Sequence, residues 1–199
     1  GTVSTALEKA QLKVQRLIKK AIHEHKQEVT FTPMFPFAEG PREYQKIAFE
    51  NWKQNKQVGL FAMATGTGKT ITSLNCLLEV YKKTGYYKAV ILVPTITLVN
   101  QWENECKRFR FNNIIKVYSK RPKWKSDIES LHLQERIYGG EDKVSYVVIA
   151  TYASFAKDGA FDLLNSLSSR AMLIADEAHN MGSGGIRKKL PMIRYKRRI

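Results

Sequence analysis

The chain is expected to fold as a doubly wound α/β protein, a mostly parallel sheet covered by helices on both faces, with a helical extension at the N-terminus. Three observations lead there. Apolar runs such as Val90-Ile91-Leu92-Val93 and Tyr146-Val147-Val148-Ile149 lack period-two alternation, the pattern of strands buried on both faces. These runs alternate with segments of helical periodicity, as crossovers between parallel strands require. Two of the runs also end in reactive residues: Val58 to Ala62 leads into a glycine-rich turn closed by Lys69-Thr70, and Ala171 to Ala175 leads into Asp176-Glu177. In open α/β sheets, ligands gather at the C-terminal edge of the strands.

From Thr5 to about Val29, Leu7, Val14, Leu17, Ile18, Ala21 and Ile22 recur near helical spacing among Lys13, Arg16, Lys19 and Lys20, which predicts a basic amphipathic helix. A solvated linker helix and a nucleic-acid contact are both compatible with it. His23 and His25, two apart, point to different sides of a helix and do not make a metal pair. Phe31-Thr32-Pro33-Met34-Phe35-Pro36-Phe37 and Gly40-Pro41 interrupt the pattern, because proline disfavours helix for the residue before it. The chain therefore divides into residues 1–40, helix and linker, and residues 41–199, the α/β domain. Within the second part the expected elements are helix Arg42 to Lys53, strand Val58 to Ala62, helix Lys69 to Lys83, strand Lys88 to Pro94, helix Thr97 to Arg108 and strand Ile114 to Tyr118. A helix near Ser126 to Tyr138, strand Val144 to Thr151, one helix from Ala153 to Ser166 and strand Ala171 to Asp176 complete the set. Gly139-Gly140-Glu141-Asp142 and Met181 to Gly185 read as loops.

At 199 residues the chain buries a sizeable core, and its formal charge of +15 favours a polyanionic partner over an acidic small molecule. Cys76 and Cys106 fall within helical patterns without metal-ligand spacing, so they read as packed thiols of a reducing compartment with no disulfide. No run approaches the roughly twenty apolar residues of a membrane span, and no signal-peptide core is present, so the expectation is a cytoplasmic protein without membrane contact.

Thr65-Gly66-Thr67-Gly68-Lys69-Thr70 reads as a phosphate-cradling loop at a helix start. The glycines let backbone N–H groups face a triphosphate, and the helix adds its positive N-terminal dipole. Lys69 would reach the β- and γ-phosphates and the Thr70 hydroxyl would ligate Mg²⁺, although Met63 stands where the full pattern has glycine. Asp176, at the tip of a buried strand, suits the same metal, and Glu177 suits activation of an attacking water.

Four short motifs in this order resemble the first RecA-like domain of superfamily 2 helicases and translocases, especially the helicase subunits of restriction enzymes. Arg42-Glu43-Tyr44-Gln45 looks like the adenine-side motif, Met63 to Thr70 like motif I, Pro94 to Gln101 like motif Ia, and Asp176-Glu177-Ala178-His179 like a DEAH box. The resemblance spans about Pro41 to Ile199 and implies a RecA-like P-loop fold, Mg-ATP as cofactor and hydrolysis coupled to movement on DNA, with RNA as the alternative track. It places Gln45 on the adenine edge with Arg42 or Phe37 stacking on the ring, and His179 between the γ-phosphate and the nucleic-acid face. Pro94, Thr95 and Thr151, at strand tips, would meet the nucleic-acid backbone. It also implies a second RecA-like half beyond Ile199 carrying an arginine finger, so that this piece alone would bind nucleotide weakly and hydrolyse it slowly.

Two basic clusters remain. Lys120, Arg121, Lys123 and Lys125 flank Trp124, a composition that fits either a solvated loop or a backbone track with one stacking ring. Arg187 to Lys189 with Arg194, Lys196, Arg197 and Arg198 would face DNA or the partner half. The rival readings are a DEAH-type RNA helicase, a nucleic-acid-binding module with a degenerate nucleotide site, and a P-loop kinase, for which no acceptor pocket or lid is legible.

Overall fold

A computed structural model describes residues 2–28, 32–59, 67–138, 144–167, 170–177, 195 and 197–199. Its elements are α1 (Thr2–Glu28), α2 (Glu43–Gln54), α3 (Thr67–Thr84), β1 (Lys88–Val93), α4 (Ile96–Arg108), β2 (Ile114–Val117), α5 (Trp124–Ile137), β3 (Tyr146–Thr151), α6 (Tyr152–Phe155), α7 (Asp158–Asn165), β4 (Met172–Ala175) and β5 (Arg197–Arg198). The strands form a five-stranded sheet in the order β2-β3-β1-β4-β5, and every pairing is parallel.

The unbroken apolar runs are explained by the two cores. Side chains alternate across the sheet, so Val90, Leu92, Tyr146, Val148 and Leu173 join α5, α6 and α7 on one face. Ala89, Ile91, Val93, Val147, Ile149 and Ile174 meet α2, α3 and α4 on the other. Neither face is left to water, as the doubly wound reading required. Cys76 and Cys106 are buried and free, and burial pushes the Cys76 thiol up to about 12.

One charged residue opens β1. The Lys88 side chain is fully buried, its Nζ lies 2.9 Å from Glu135 Oε1, and it stands over the Tyr86 and Tyr146 rings at 5.5 and 5.4 Å. The carboxylate and the two ring faces offset the cost of removing the ammonium from water.

Among the described residues, the N-terminal 40 residues touch the α/β part at two places. Ala21 of α1 is fully buried against α5, where Lys20 Nζ donates to Ser126 Oγ at 2.9 Å and pairs with Asp127, while Ser130 donates to Glu24 Oε2 at 2.8 Å. Further on, Pro33 is buried, the Met34 amide donates to the Phe109 carbonyl at 3.0 Å, and the Phe35 ring meets Phe109 edge-on at 5.5 Å.

Four expectations are corrected. The segment from Ala153 to Ser166 is two helices, α6 and α7, because Lys157 is extended (φ −68°, ψ 134°). The break lets Phe155 and Phe161, six positions apart and so on different sides of a continuous helix, meet edge-on at 5.3 Å in the core. Trp124 is a core residue at the start of α5, its ring covered by Lys125 Nζ at 5.6 Å, and is not a stacking platform. Phe37 is not an adenine shelf: the Arg108 guanidinium lies 4.9 Å over its ring, at the end of α4 remote from Thr95.

The fourth correction concerns Arg197 and Arg198, for which no strand was expected and which form β5. β5 pairs with β4 on one side, and on the other Arg198 bridges Val58 in parallel. Arg197 Nε donates to Gln57 Oε1 at 2.9 Å, and the Trp52 indole donates to the Arg198 carbonyl at 3.0 Å. Of the expected strand from Val58 to Ala62, residues 60–62 lie outside the described residues, as do the loops at 139–142 and 181–185 and the basic residues 187–189, 194 and 196.

Candidate active site

With all strands parallel, the C-terminal tips share one edge of the sheet. The bridge at Val58 puts the segment that leads toward Lys69 beside β5, and β5 lies beside β4, whose tip carries Asp176 and Glu177. Val58 is therefore two strand spacings from β4, roughly 10 Å. Gly68, Lys69 and Thr70 make the first turn of α3, and Lys69 and Thr70 are half-buried. Thr65, Gly66 and His179 lie outside the described residues.

A second structure borders that first turn. Arg42 caps α2 in extended conformation, and Gln45 closes the cap from inside, its Oε1 accepting the Arg42 amide at 2.9 Å. Gln45 is buried, and its Nε2 donates to the Tyr44 hydroxyl at 3.4 Å. That hydroxyl lies 3.2 Å from where a Cβ on Gly68 would stand, so α2 fits against α3 closely enough that only glycine fits without adjustment. The expected adenine-side residues thus adjoin the phosphate-loop helix, with the Gln45 oxygen engaged in holding its own turn.

At the tip of β4, the Asp176 amide donates to the Leu92 carbonyl at 2.9 Å and the Tyr152 hydroxyl donates to the Asp176 carbonyl at 2.8 Å. Burial first, and then the Asp176 and Glu177 carboxylates, raise the Tyr152 phenol above its ordinary range, so it stays protonated as a donor. The Trp102 indole of α4 donates to Asp176 Oδ2 at 2.8 Å. Glu177 has left-handed backbone (φ 52°), a conformation that non-glycine residues adopt rarely and often at functional turns. No hydrogen bond to Asp176 Oδ1 is found among the described residues. Among the described residues no three His, Cys, Asp or Glu cluster as a protein-only metal cage. One carboxylate oxygen and one threonine hydroxyl fit an ion that otherwise takes phosphate and water ligands, the usual habit of Mg²⁺.

Farther along the edge stand Pro94, Thr95 and Thr151. Val93 pairs with Thr151, so the three sit on neighbouring strand tips. Thr95 caps α4, accepting the Leu98 amide at 3.2 Å, and is exposed. Thr151 caps α6, is buried, accepts the Ser154 amide at 3.2 Å and donates to Ser154 Oγ at 3.0 Å. Thr95 is open to a partner. Thr151 spends its hydroxyl on its own turn.

Sequence reading missed Trp102, Tyr152 and the role of Tyr44. Trp102 carried a usable signal: a tryptophan on the buried face of a helix needs a partner for its N–H, and the nearest strand tips end in acids. Tyr44, counted on the apolar side of α2, is exposed over much of its surface and acts through its hydroxyl.

Comparison with known proteins agrees with this arrangement. The chain is 28% identical over 146 residues to the DNA 3'-5' translocase XPB2 of Sulfurisphaera tokodaii, covering 72% of this chain and 26% of that protein. It is 30% identical over 96 residues to the transcript termination protein A18 of Yaba-like disease virus, covering 47% of this chain and 19% of that protein. The chain thus spans about a quarter or less of the length of these curated relatives. Among solved structures, a nuclease-deletion mutant of the Type ISP restriction-modification enzyme LlaGI in complex with a DNA substrate mimic aligns with a TM-score of 0.53 and 28% identity, over 74% of this chain and 16% of that one. A hypothetical ATP-dependent RNA helicase from Sulfolobus tokodaii aligns with a TM-score of 0.54 over 92% of this chain and 49% of that one, at 22% identity, a likeness of fold. The family model described as Type III restriction enzyme, res subunit, matches residues 39–199, and with its parallel sheet, phosphate-loop helix and acidic strand tip the chain belongs to that family.

Proposed function

We propose that this chain is the nucleotide-binding half of an ATP-dependent motor that moves on DNA, with residues 41–199 as the ATP-binding domain and residues 1–40 as its appendage. The observation that supports this reading is that Val58, on the segment leading toward Lys69 and Thr70, lies one intervening strand from β4, which leads into Asp176 and Glu177, in one parallel sheet. Membership of the res-subunit family and the likeness to a DNA translocase and to a DNA-bound restriction enzyme support DNA as the track and a restriction or phage-defence setting.

In this reading the loop from Thr65 to Gly68 surrounds the polyphosphate with backbone N–H groups, and Lys69 supplies the cation for the β- and γ-phosphates. Thr70 and Asp176 hold Mg²⁺, which when bound neutralises charge developing on the transferred phosphoryl group. Glu177 accepts a proton from the attacking water, and its left-handed backbone sets the direction of its side chain at the tip of β4. Trp102 fixes Asp176, leaving Oδ1 for the metal. Arg42, Gln45 and Tyr44 border the base-side end, and His179 links the γ-phosphate region to the nucleic-acid face. Pro94 and Thr95, with Thr151 behind them, meet the backbone of the track without reading sequence. A second RecA-like half would supply the remaining catalytic charge.

The test is equilibrium binding of a fluorescent ATP analogue with Mg²⁺, with and without single-stranded DNA, by this chain and by Lys69→Ala. The expected result is weak saturable binding that Lys69→Ala abolishes while binding of DNA persists. Equal nucleotide affinity in the two proteins would overturn the assignment.

A further inference from the structure

Helix α1 is longer than its seat. Its contacts with α5 run in register, Lys20 to Ser126 and Asp127, then Glu24 to Ser130 and Gln134, so the two helices are parallel. By that register Arg16 lies level with the residues just before α5, and residues 2–16, every one exposed, extend past its start by roughly 22 Å. The direction of this projection is fixed by the sheet. α5 begins after β2 has ended at Val117, which pairs with Ala150 of β3, so the start of α5 lies on the same edge as Thr95 and Thr151. The free half of α1 therefore stands out from the edge that carries the candidate nucleic-acid contacts.

Its charges are ordered. Lys9, Lys13, Arg16 and Lys20 follow one another at intervals of four, three and four residues, a straight stripe about 17 Å long on one side of the helix. They line a groove of about 450 Å³ with Leu12, Leu17, Ser126 and the single acid Glu129. Lys20 is anchored to Asp127, but among the described residues no carboxylate lies within ion-pair distance of Lys9, Lys13 or Arg16. Exposed Lys120, Lys123 and Lys125 lie on the turn before α5 and on its first residues, at the level where the projection begins. Unpaired cations lined up on a rigid rod, beside a basic turn, suit a regular row of phosphates.

We propose that the projecting half of α1 is a phosphate-backbone arm that holds double-helical nucleic acid as it approaches or leaves the sheet edge, adding sequence-independent affinity. The three free cations of the projecting half, Lys9, Lys13 and Arg16, span about 10 Å of helix, the rise of some three base steps of duplex. This inference rests on the nucleic-acid reading above, and the two can fail separately.

The test uses the whole chain and the triple variant Lys9→Gln, Lys13→Gln, Arg16→Gln, all at exposed positions. Binding of a labelled duplex with a single-stranded extension is measured over a range of salt concentrations, alongside binding of the fluorescent ATP analogue. Three lost phosphate contacts should lower the slope of log affinity against log salt by about 2.7 and weaken duplex binding at least ten-fold at low salt, with nucleotide binding unchanged. An unchanged slope with intact nucleotide binding would overturn the arm and leave the motor reading standing. Loss of nucleotide binding from the wild-type chain would overturn the motor reading itself. If the slope is unchanged and sedimentation shows self-association that Val3→Ser with Leu7→Ser abolishes, the arm is a protein-docking helix and the proposal is wrong.

Discussion

Asp176 is held by two aromatic side chains from two different helices, the Trp102 indole on its carboxylate and the Tyr152 hydroxyl on its carbonyl. The carboxylate bond is the more consequential, because it engages Oδ2 and, among the described residues, leaves Oδ1 without a hydrogen bond. Trp102→Phe keeps most of the buried ring and removes only the donor. The Mg²⁺ concentration that half-saturates nucleotide binding should rise by roughly ten-fold or more, as for other groups that orient a metal ligand. A Mg²⁺ titration followed by the fluorescent ATP analogue checks this, and an unchanged midpoint would remove Trp102 from the site. The acids themselves were legible because their chemistry stands beside a buried run. Trp102 was not, since its partner lies 74 positions away and only the pairing of strand tips brings the two together.

Among the helices, those with apolar stripes could be placed from spacing to within three residues, whereas the break between α6 and α7 could not. Nothing in Ala153 to Ser166 forbids a continuous helix: the break arises where Phe155 and Phe161 both reach one core. The seating of α1 was equally hidden, although its amphipathic pattern was plain. Here a carboxyl group makes the contact pH-dependent. Burial pushes the Glu24 carboxyl above its ordinary 4.5, with the Ser130 hydroxyl and Lys20 pulling it back. A carboxyl raised in the folded state holds its proton more tightly there than in the unfolded chain. Its contribution is therefore complete below that ordinary value and declines as pH rises through the raised one. Glu24→Gln escapes this decline, so its melting temperature relative to wild type should increase from pH 4.5 toward neutrality, by a few degrees at most. Thermal melts across that range decide it, and a difference that does not change with pH would contradict the account.

The doubly wound architecture followed from unbroken apolar runs, but strand order did not, and neither did the place of residues 197–199. Nor did the sequence single out Lys88, which sits in a run that otherwise reads as apolar and proves to be fully buried against Glu135. Replacing Glu135 by Ala takes the anion away from an ammonium with no access to water and should cost about 3–5 kcal/mol in urea denaturation. Lys88→Met in the same chain should recover most of that loss. A change below about 1 kcal/mol for the single variant would show the pair to be dispensable. The same sheet has an implication for how the protein is made. Gln57 and Arg197, joined side chain to side chain, are 140 positions apart, and β5 intervenes between Val58 and β4. On a ribosome, the segment around Val58 emerges roughly seven to thirty seconds before the piece that wedges it into place. β4, made only about 22 residues before β5, presents an unpaired margin for the last roughly one to four seconds of that interval, and until β5 arrives the segments bearing Lys69 and Asp176 have no common wall. The nascent polypeptide thus cannot assemble the proposed nucleotide site early, and the last part of that interval is when its open sheet margin most needs protection from sticking to its neighbours.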